Sequence, residues 1–268
     1  FFTSNRSASC EYEFRNSEIY SVDINDKKIN SLTDRNGPDF SPKASPNGKY
    51  IAYLGFTDRV QAYQNTQLLI MDSNGNNKRV LSYNIDSSIS SFYWSSDNKG
   101  IYFTYDKFGD TKIAFLNLEG NSKDLAINLG GNSIGRPYGG GSFSVSKNGV
   151  IAYTNTSYNH PSELTVVNGK KTNQITNLSY ELLENRTLGM VEEVWYKSSF
   201  DNRDIQGWIV YPPNYNSDKE YPFLVENHGG PISNYGSRFS AEVQLFAAAG
   251  YIVFYPNPRG STSYGEEF

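Results

Sequence analysis

A repeat of about 50 residues constrains the fold of this chain more than any other feature of its sequence. Three similar segments begin at Ser45, Ser95 and Ser146 and read SPNGKYIAYLGF, SSDNKGIYFTYD and SKNGVIAYTN. Their glycines lie at positions 48, 100 and 149, which gives steps of 52 and 49 residues. A turn of the Asn-Gly type before alternating aliphatic and aromatic residues predicts a hairpin turn that leads into a strand.

A second series of strands is predicted between these segments. Its members carry glycines at 75, 120 and 169, and a related segment begins at Glu18, so the repeat covers most of residues 1–178. Short strands that recur every 40 to 50 or so residues are typical of β-propeller blades, because each blade buries its faces only against its neighbours. We predict a partial β-propeller of about three to four blades over residues 1–180, with the other blades supplied from upstream or by a partner chain. A large β-sandwich with unrelated turns stays open as an alternative.

The pattern changes after residue 190. EEVWYKSSFDNRDIQGWIVYPP predicts two strands joined by an Asp/Asn turn, and YPFLVEN predicts a nearly all-apolar, buried strand. Residues 237–250 have helical periodicity with Gly250 at the C-terminal cap, and YIVFYPNP predicts another buried strand. Strand, loop, helix and strand predict an α/β unit with a parallel sheet over residues 191–268, which is too short to complete such a domain.

Charge and composition exclude several classes of partner. The net charge is −4 and no run of Lys or Arg creates a basic surface, so no nucleic acid partner is predicted. The longest apolar run, residues 245–255, is too short to cross a bilayer, so no membrane segment is predicted. Cys10 is interpreted as an ordinary thiol, and the two histidines, His160 and His228, do not indicate a metal site. No cofactor is predicted, and the compartment stays open, with the cytoplasm favoured.

The segment His228-Gly229-Gly230-Pro231 is the candidate site, because it follows a predicted strand of the α/β unit. In open α/β sheets, ligands bind at the loops beyond the carboxyl ends of the strands. Glycines let the backbone adopt positive φ and approach a ligand closely, and their N–H groups can stabilise a developing oxyanion, each by about 3 to 4 kcal/mol. Pro231 would fix the direction of this backbone. A tight turn without a ligand is the alternative.

Several segments, in this order and at these separations, resemble the prolyl oligopeptidase family of serine peptidases. They are HPSELTVV, NQITNLSYELL, EEVWYKSSFDNRDIQGWIVYPP, YPFLVENHGGP and LFAAAGYIVFYPNPRGSTSYGEEF. The acylaminoacyl-peptidase and dipeptidyl-aminopeptidase-like branch is the most similar. The resemblance is specific from Ser162 to Phe268 and generic before that. It implies a multidomain chain, in which a partial β-propeller precedes the first part of an α/β-hydrolase domain.

The resemblance also implies a role for each residue of the loop. The N–H of Gly230 would donate to the oxyanion, Gly229 would shape the turn, and His228 and Pro231 would set the form of the loop. His228 is therefore interpreted as structural and not as a general base. Arg259, in the loop NPRGSTSYG, would either contact a substrate carbonyl or carboxylate or join two loops. In α/β-hydrolases Ser, Asp and His follow this region along the chain, so the triad is expected beyond Phe268 and this chain alone is expected to be inactive.

The resulting functional hypothesis is a serine peptidase that hydrolyses short peptides or acyl-peptides through an acyl-enzyme. Two alternatives stay open: a non-catalytic protein whose propeller does the binding, and a carboxylesterase. The carboxylesterase shares the oxyanion chemistry but does not predict the upstream repeats. The expected partner is an oligopeptide or acyl-peptide substrate, and a homo-oligomer is left open.

Overall fold

The structure, a computed structural model, describes residues 1–131 and 133–268. The chain divides into two compact units: Phe1–Tyr105 with Ala114–Asp124, and Asp106–Ile113 with Leu125–Phe268. Most of the regular structure consists of short strands, and the two α-helices found among the described residues both lie in the second unit. This division differs from the predicted boundaries, which follow the change in sequence pattern between residues 180 and 191.

The first unit contains antiparallel sheets built from consecutive strands. The first sheet has the order β1-β2-β3 and the second β4-β5-β6-β7. A third sheet has the order β11-β10-β9-β8, and the turn between β9 and β10 is counted with the second unit. The strands are β1 (Phe2–Ser4), β2 (Glu18–Val22), β3 (Ile29–Ser31), β4 (Asp39–Ala44), β5 (Tyr50–Gly55), β6 (Gln67–Asp72), β7 (Arg79–Val80), β8 (Ile89–Trp94), β9 (Gly100–Lys107), β10 (Asp110–Asn117) and β11 (Ser122–Ala126).

The apolar positions of the repeat form the core of this unit. Ala52, Leu54, Leu68 and Ile70 of the second sheet pack with Phe92, Ile101, Phe103 and Leu116 of the third, and all are buried. Ile19, Ile51, Tyr53, Leu69 and Met71 form a second cluster. Because successive side chains of a strand point to opposite faces, the alternating pattern buries both faces of the second sheet.

The second unit contains one more antiparallel sheet of consecutive strands and a sheet of mixed direction. The first has the order β12-β13-β14-β15 and the second β16-β17-β19-β18. Only β18 and β19 are parallel, whereas β17 is antiparallel to both β16 and β19. The elements are β12 (Phe143–Val145), β13 (Ile151–Ser157), β14 (His160–Asn168), β15 (Lys171–Gln174), α1 (Tyr180–Leu183), β16 (Val191–Lys197), β17 (Asp204–Val210), β18 (Phe223–Val225), α2 (Ala241–Ala248) and β19 (Ile252–Pro256).

The predicted hairpins are confirmed. The first-series strands β5, β9 and β13 each follow a turn with a residue at positive φ, namely Gly48, Asn98 and Gly149. Within each unit, β5 pairs antiparallel with β6 of the second series, and β13 pairs with β14. The strands β16 and β17 are also joined by a turn in which Asn202 has φ of +60°. These features depend on turn residues and alternation, both of which are local.

The α/β segment differs in part from what its sequence predicts. The predicted burial of β18 is not found in these 268 residues, in which β19 is its neighbour and Phe223 is 60% and Val225 49% exposed. The parallel pairing of β18 with β19 is confirmed, whereas β17 is antiparallel to β19, so the sheet as a whole is mixed. The helix α2 begins at Ala241 and not at residue 237, because the Ser240 side chain accepts a hydrogen bond from the Val243 N–H and caps the first turn there. Gly250, at φ +95°, follows the end of α2 as predicted.

The helix α2 packs on the mixed sheet through a compact cluster. Trp208 and Val210 of β17, Val253 and Tyr255 of β19, and Val243 and Ala247 of α2 are buried together with Tyr235. Trp208 and Tyr255 stack with ring centroids 5.3 Å apart. This cluster fixes the carboxyl end of β19 and the segment before α2, between which the candidate site lies. Among the described residues, no helix is long and apolar enough to span a membrane.

Candidate functional site

The candidate loop begins where β18 ends. The Glu226 N–H still donates to the Phe254 carbonyl, and residues 228–231 then leave the sheet. Because β18 and β19 are parallel, the loops that follow them leave the same edge of the sheet. The loop at residues 227–234 therefore lies beside the loop at 257–264, where the Thr262 N–H donates to the Ser233 carbonyl at 2.9 Å.

The two glycines differ in what they require. Gly230 has φ of +131°, and a methyl group there would lie 2.7 Å from the Ile232 nitrogen. Gly229 has no positive φ, and a methyl group there would meet no atom within 4 Å. Backbone conformation therefore demands glycine at Gly230, whereas at Gly229 the space beside the backbone is open.

The main-chain donors of the loop are unoccupied. Across residues 1–131 and 133–268, the N–H groups of Gly229 and Gly230 form no hydrogen bond with the protein, and both residues are exposed. The Gly230–Pro231 peptide is cis. The neighbouring loop contacts Pro231 closely, because Gly260 has φ of +87° and a methyl group there would lie 2.7 Å from Pro231 Cγ.

His228 is buried beneath the loop. Its Nδ1 lies 3.1 Å from the Gly229 carbonyl oxygen, and its Nε2 lies 2.9 Å from Ser261 Oγ. The rings of Tyr235 and Tyr138 lie 5.0 and 6.5 Å from the imidazole ring, both edge-on. The structure thus places His228 against its own loop, where both ring nitrogens have protein partners.

Asn257 anchors the segment that follows Pro231. Its Oδ1 accepts from the Tyr235 N–H at 2.8 Å, and its Nδ2 donates to the Tyr235 carbonyl at 2.9 Å. Nδ2 also donates to the Tyr264 hydroxyl at 2.6 Å. Asn257 is fully buried, so these hydrogen bonds are made without competition from water.

A chain of charged groups extends from the Tyr235 hydroxyl. This hydroxyl donates to Glu226 Oε1 at 2.9 Å, and Arg136 Nη1 lies 2.9 Å from the same oxygen. Arg136 Nε also donates to Glu242 in the first turn of α2. Burial, with hydrogen bonds to Glu226 and Tyr138, raises the pKa of Tyr235 well above its usual value. The hydroxyl is therefore a permanent donor at neutral pH.

Arg238 ties the same segment to the turn between β9 and β10. Its Nη1 donates to the Gly109 carbonyl at 2.8 Å, and its Nη2 donates to Thr111 Oγ1 at 2.6 Å. Burial lowers the pKa of this guanidinium, and the carboxylates of Asp106 and Asp110 oppose that effect. Segment 233–238 is therefore held by Asn257 on one side and by this turn on the other.

Arg259 joins two loops. Its Nε and Nη2 donate to the two carboxylate oxygens of Asp201 at 2.8 and 2.6 Å, and it also contacts Ser198 Oγ. The hydrogen bond from Arg259 is the main reason that the pKa of Asp201 lies well below its usual range. Of the two roles expected for Arg259, the structure contains the contacts of the second, a link between the turn after β16 and the loop after β19.

One Gly-x-Ser-x-Gly pentapeptide occurs in the sequence, at residues 131–135 with Ser133 at its centre. It lies far before the expected position of the nucleophile, which is beyond Phe268. Asn132 of this motif lies outside the described residues. Ser133 lies in the connection between β11 and β12, and the part of that connection that is described contains no helix. A nucleophile elbow is a turn from a strand into a helix, so Ser133 does not have the structural context of one.

The structure brings together the predicted residues His228 to Pro231, and it places Arg259 two positions before Ser261 of the supporting loop. Sequence reasoning missed Ser261, Asn257 and Tyr235, which hold the loop from behind. Ser and Asn in a polar loop carry no local signal for such a role, since the partners through which they hold the candidate loop, His228 and Tyr235, are 33 and 22 positions away. No group of three or more metal-ligating side chains is found in the described part of the chain.

Comparisons with known proteins identify relatives that are peptidases. The profile of the prolyl oligopeptidase family matches residues 237–268. Dipeptidyl-peptidase 5 of Schizosaccharomyces pombe is 27% identical over 260 residues, which are 93% of this chain and 36% of the relative. Dipeptidyl-peptidase 5 of Porphyromonas gingivalis is also 27% identical, over 94% of this chain and 36% of the length of that relative. The chain thus spans about a third of the length of the curated relatives it matches.

Solved structures share the fold. The acylaminoacyl peptidase of Pyrococcus horikoshii superposes with a TM-score of 0.75 at 21% identity, over 95% of this chain and 37% of that one. An acylaminoacyl peptidase in complex with Z-Gly-Gly-Phe-chloromethyl ketone superposes with a TM-score of 0.77 at 22% identity and the same coverage. At this identity the likeness establishes the fold.

Proposed function

Because this chain belongs to the prolyl oligopeptidase family, we propose that it is part of a serine peptidase that hydrolyses short peptides or acyl-peptides through an acyl-enzyme. The chain covers about a third of its relatives, so the activity is proposed for a whole protein of their length. The relatives named above are dipeptidyl-peptidases, and the solved structures named above are acylaminoacyl peptidases, which supports peptide substrates.

Within that protein, residues 1–180 would form blades of a β-propeller and residues 191–268 the first part of an α/β-hydrolase domain. Support for the blades comes from sheets of consecutive antiparallel strands that follow the sequence repeat. Support for the hydrolase domain comes from the parallel pair β18 and β19, with α2 packed on the sheet between them in sequence. The nucleophile, base and acid would be supplied by residues outside these 268.

The observation that carries the proposal is the exposed N–H of Gly230, which has no partner among the described residues and lies at the carboxyl edge of a parallel strand pair. Attack on a peptide carbonyl places negative charge on its oxygen, and fixed N–H donors stabilise that charge more than they stabilise the neutral carbonyl. A loop tied down from behind suits this role, because its donors need not reorganise during the reaction. Gly229 contributes open space through which the carbonyl can reach the donor.

The test uses the whole protein with peptide anilides, N-acyl-peptide anilides and p-nitrophenyl esters. A serine peptidase cleaves the anilides and is labelled stoichiometrically by a fluorophosphonate. Cleavage of esters alone would point to a carboxylesterase, and neither cleavage nor labelling would point to a binding protein; either result overturns the proposal. The 268 residues alone are expected to be inactive.

The location of the label decides the place of the nucleophile. We expect the labelled serine to lie outside residues 1–268, and the Ser133→Ala variant to keep full activity, because Ser133 does not lie at a strand-to-helix turn. Loss of labelling in Ser133→Ala would move the nucleophile into this chain.

A further inference from the structure

We propose that Arg136 is a positioning residue for the candidate oxyanion loop, residues 227–234, and that it acts through Glu226 and Tyr235. The catalytic part of this inference rests on the proposed function. Glu226 precedes the loop and Tyr235 follows it, and the Tyr235 hydroxyl donates to Glu226 Oε1 at 2.9 Å. This hydrogen bond joins the two ends of the loop. Arg136 Nη1, 2.9 Å from the same oxygen, holds the acceptor in place.

The carboxylate of Glu226 needs a cation close to it. Its side chain is only 11% exposed, and a charge with so little access to water is stable only when it is paired and hydrogen-bonded. Among the described residues, Arg136 is its only ion-pair partner, since the neutral hydroxyl of Tyr235 supplies a donor but no charge. Removal of the guanidinium would therefore favour a rotamer that turns the carboxylate toward water, and the hydrogen bond to Tyr235 would be lost.

Arg136 is itself held in one position. Its Nε and Nη2 donate to the two carboxylate oxygens of Glu242, at 2.9 and 3.3 Å. The preceding carbonyl, of Gly135, accepts from the Glu242 N–H at 3.1 Å. The following carbonyl, of Pro137, accepts from the Gly236 N–H at 3.0 Å. Both the side chain and the main chain of Arg136 are therefore tied to the segment that leads into α2.

The ring of Tyr235 connects this link to the candidate donor. The ring lies 5.0 Å from the imidazole of His228, edge-on, and Glu226 fixes its hydroxyl end. His228 Nδ1 in turn lies 3.1 Å from the Gly229 carbonyl oxygen. That carbonyl and the Gly230 N–H belong to one trans peptide, so they point in opposite directions. A displaced Tyr235 ring would thus change the direction of the Gly230 N–H.

Solvent exposure separates the two effects that a variant of Arg136 can have. The side chain of Arg136 is 42% exposed and that of Glu242 34%, so water screens this pair and its contribution to global stability is small. The effect on the loop is local, because Glu226 and Tyr235 are the ends of the loop. We therefore expect loss of Arg136 to loosen the loop without unfolding the protein.

Hydrogen exchange of the whole protein, followed by mass spectrometry, tests the structural part. The N–H groups of Ser233 and Tyr235 are hydrogen-bonded, so slow exchange in the peptide that contains them reports a closed loop. Arg136→Gln is expected to speed that exchange about tenfold and to leave Tm within about 3 °C of wild type. The control is Arg186→Gln, an exposed arginine without an ion pair among the described residues, which should exchange as wild type does. Unchanged exchange in Arg136→Gln would overturn the inference.

The kinetics of peptide hydrolysis by the whole protein test the catalytic part. Arg136→Gln and Tyr235→Phe should each lower kcat about tenfold with little change in KM, and the double variant should be no slower than either, because both break the same link. Arg136→Lys should restore only part of the rate, since one ammonium does not span two carboxylates in a fixed geometry. Additive losses would show that the two residues act separately, and a raised KM would place Arg136 on the substrate; either result overturns the inference.

The proposed function and this inference fail in different ways. If the wild type hydrolyses nothing, the proposed function fails, while hydrogen exchange still decides whether Arg136 holds the loop. If the wild type is active and Arg136→Gln keeps its full kcat, the positioning role fails while the proposed function stands.

Discussion

The side-chain amide of Asn257 binds both polar groups of the Tyr235 main chain, at 2.8 Å to its N–H and 2.9 Å to its carbonyl. The two residues are 22 positions apart, in the loops that follow β19 and β18. The buried Asn257 side chain thus makes two hydrogen bonds of the kind that a neighbouring strand makes with its main chain. This contact holds the segment behind Gly230, so the shape of the candidate oxyanion loop depends on a residue outside it.

Asn257→Ala is expected to destabilise the protein by about 2 to 4 kcal/mol, because it leaves the buried Tyr235 N–H without its partner and the Tyr235 carbonyl with only the longer, 3.4 Å contact from Asn234 Nδ2. Chemical denaturation monitored by tryptophan fluorescence measures the change. Asn227→Ala is the matched control, since Asn227 is exposed in the neighbouring loop after β18, and it should stay within about 0.5 kcal/mol of wild type. Equal effects of the two variants would contradict this view of Asn257.

The two glycines of the loop should respond differently to alanine. Gly230→Ala is expected to cost about 1 to 3 kcal/mol, because φ of +131° is nearly inaccessible to other residues, and to reduce hydrolysis strongly by displacing the N–H. Gly229→Ala should be within about 0.5 kcal/mol of wild type, since its methyl group meets no atom within 4 Å. Thermal unfolding and peptide hydrolysis by the whole protein measure both. The reverse order of the two variants would show that the loop geometry is different.

Glu163 of β14 should make stability depend on pH. Burial by itself raises the pKa of Glu163, but hydrogen bonds from Thr176, Leu178 and Ser179 outweigh it and lower the pKa to about 2. A carboxylate with a depressed folded-state pKa stabilises the protein above its unfolded pKa of 4.5 and loses that contribution as the pH falls toward 2.

Glu163→Gln should therefore lose about 2 kcal/mol at pH 7, as hydrogen bonds to a charged acceptor are lost, and show a weaker decline in stability below pH 5. Urea denaturation between pH 3 and 7 measures this. The control is Glu181→Gln, an exposed carboxylate nearby, which should leave the pH profile unchanged. A Glu163→Gln profile parallel to that of wild type would count against the assignment.

Arg259 and Asp201 should behave as one unit. If Arg259 acts by joining two loops, Arg259→Gln and Asp201→Asn will change the KM for peptides by similar factors, and the double variant will be no worse than either. Steady-state kinetics of the whole protein measure this. A KM increase confined to Arg259→Gln would instead place the guanidinium on the substrate.

The sequence alone was sufficient for the features that depend on neighbours along the chain. The turns at Gly48, Asn98 and Gly149 and the strands behind them were predicted because positive φ and alternating burial each leave a local signal. The loop at His228 to Pro231 was found for the same reason: two glycines and a proline after an apolar run. Family resemblance then gave Gly230 its expected role.

The rest was decided by contacts between distant positions. The strand order β16-β17-β19-β18 places the last strand of the chain between two earlier ones, because strand order is set by pairing and not by the composition of one strand. Asn257, Ser261, Glu163 and Arg259 occur in segments whose composition is that of any polar loop or strand. Their roles arise from partners 13 to 58 positions away, and hydrogen bonds over such separations exist only once the sheets have brought those groups together.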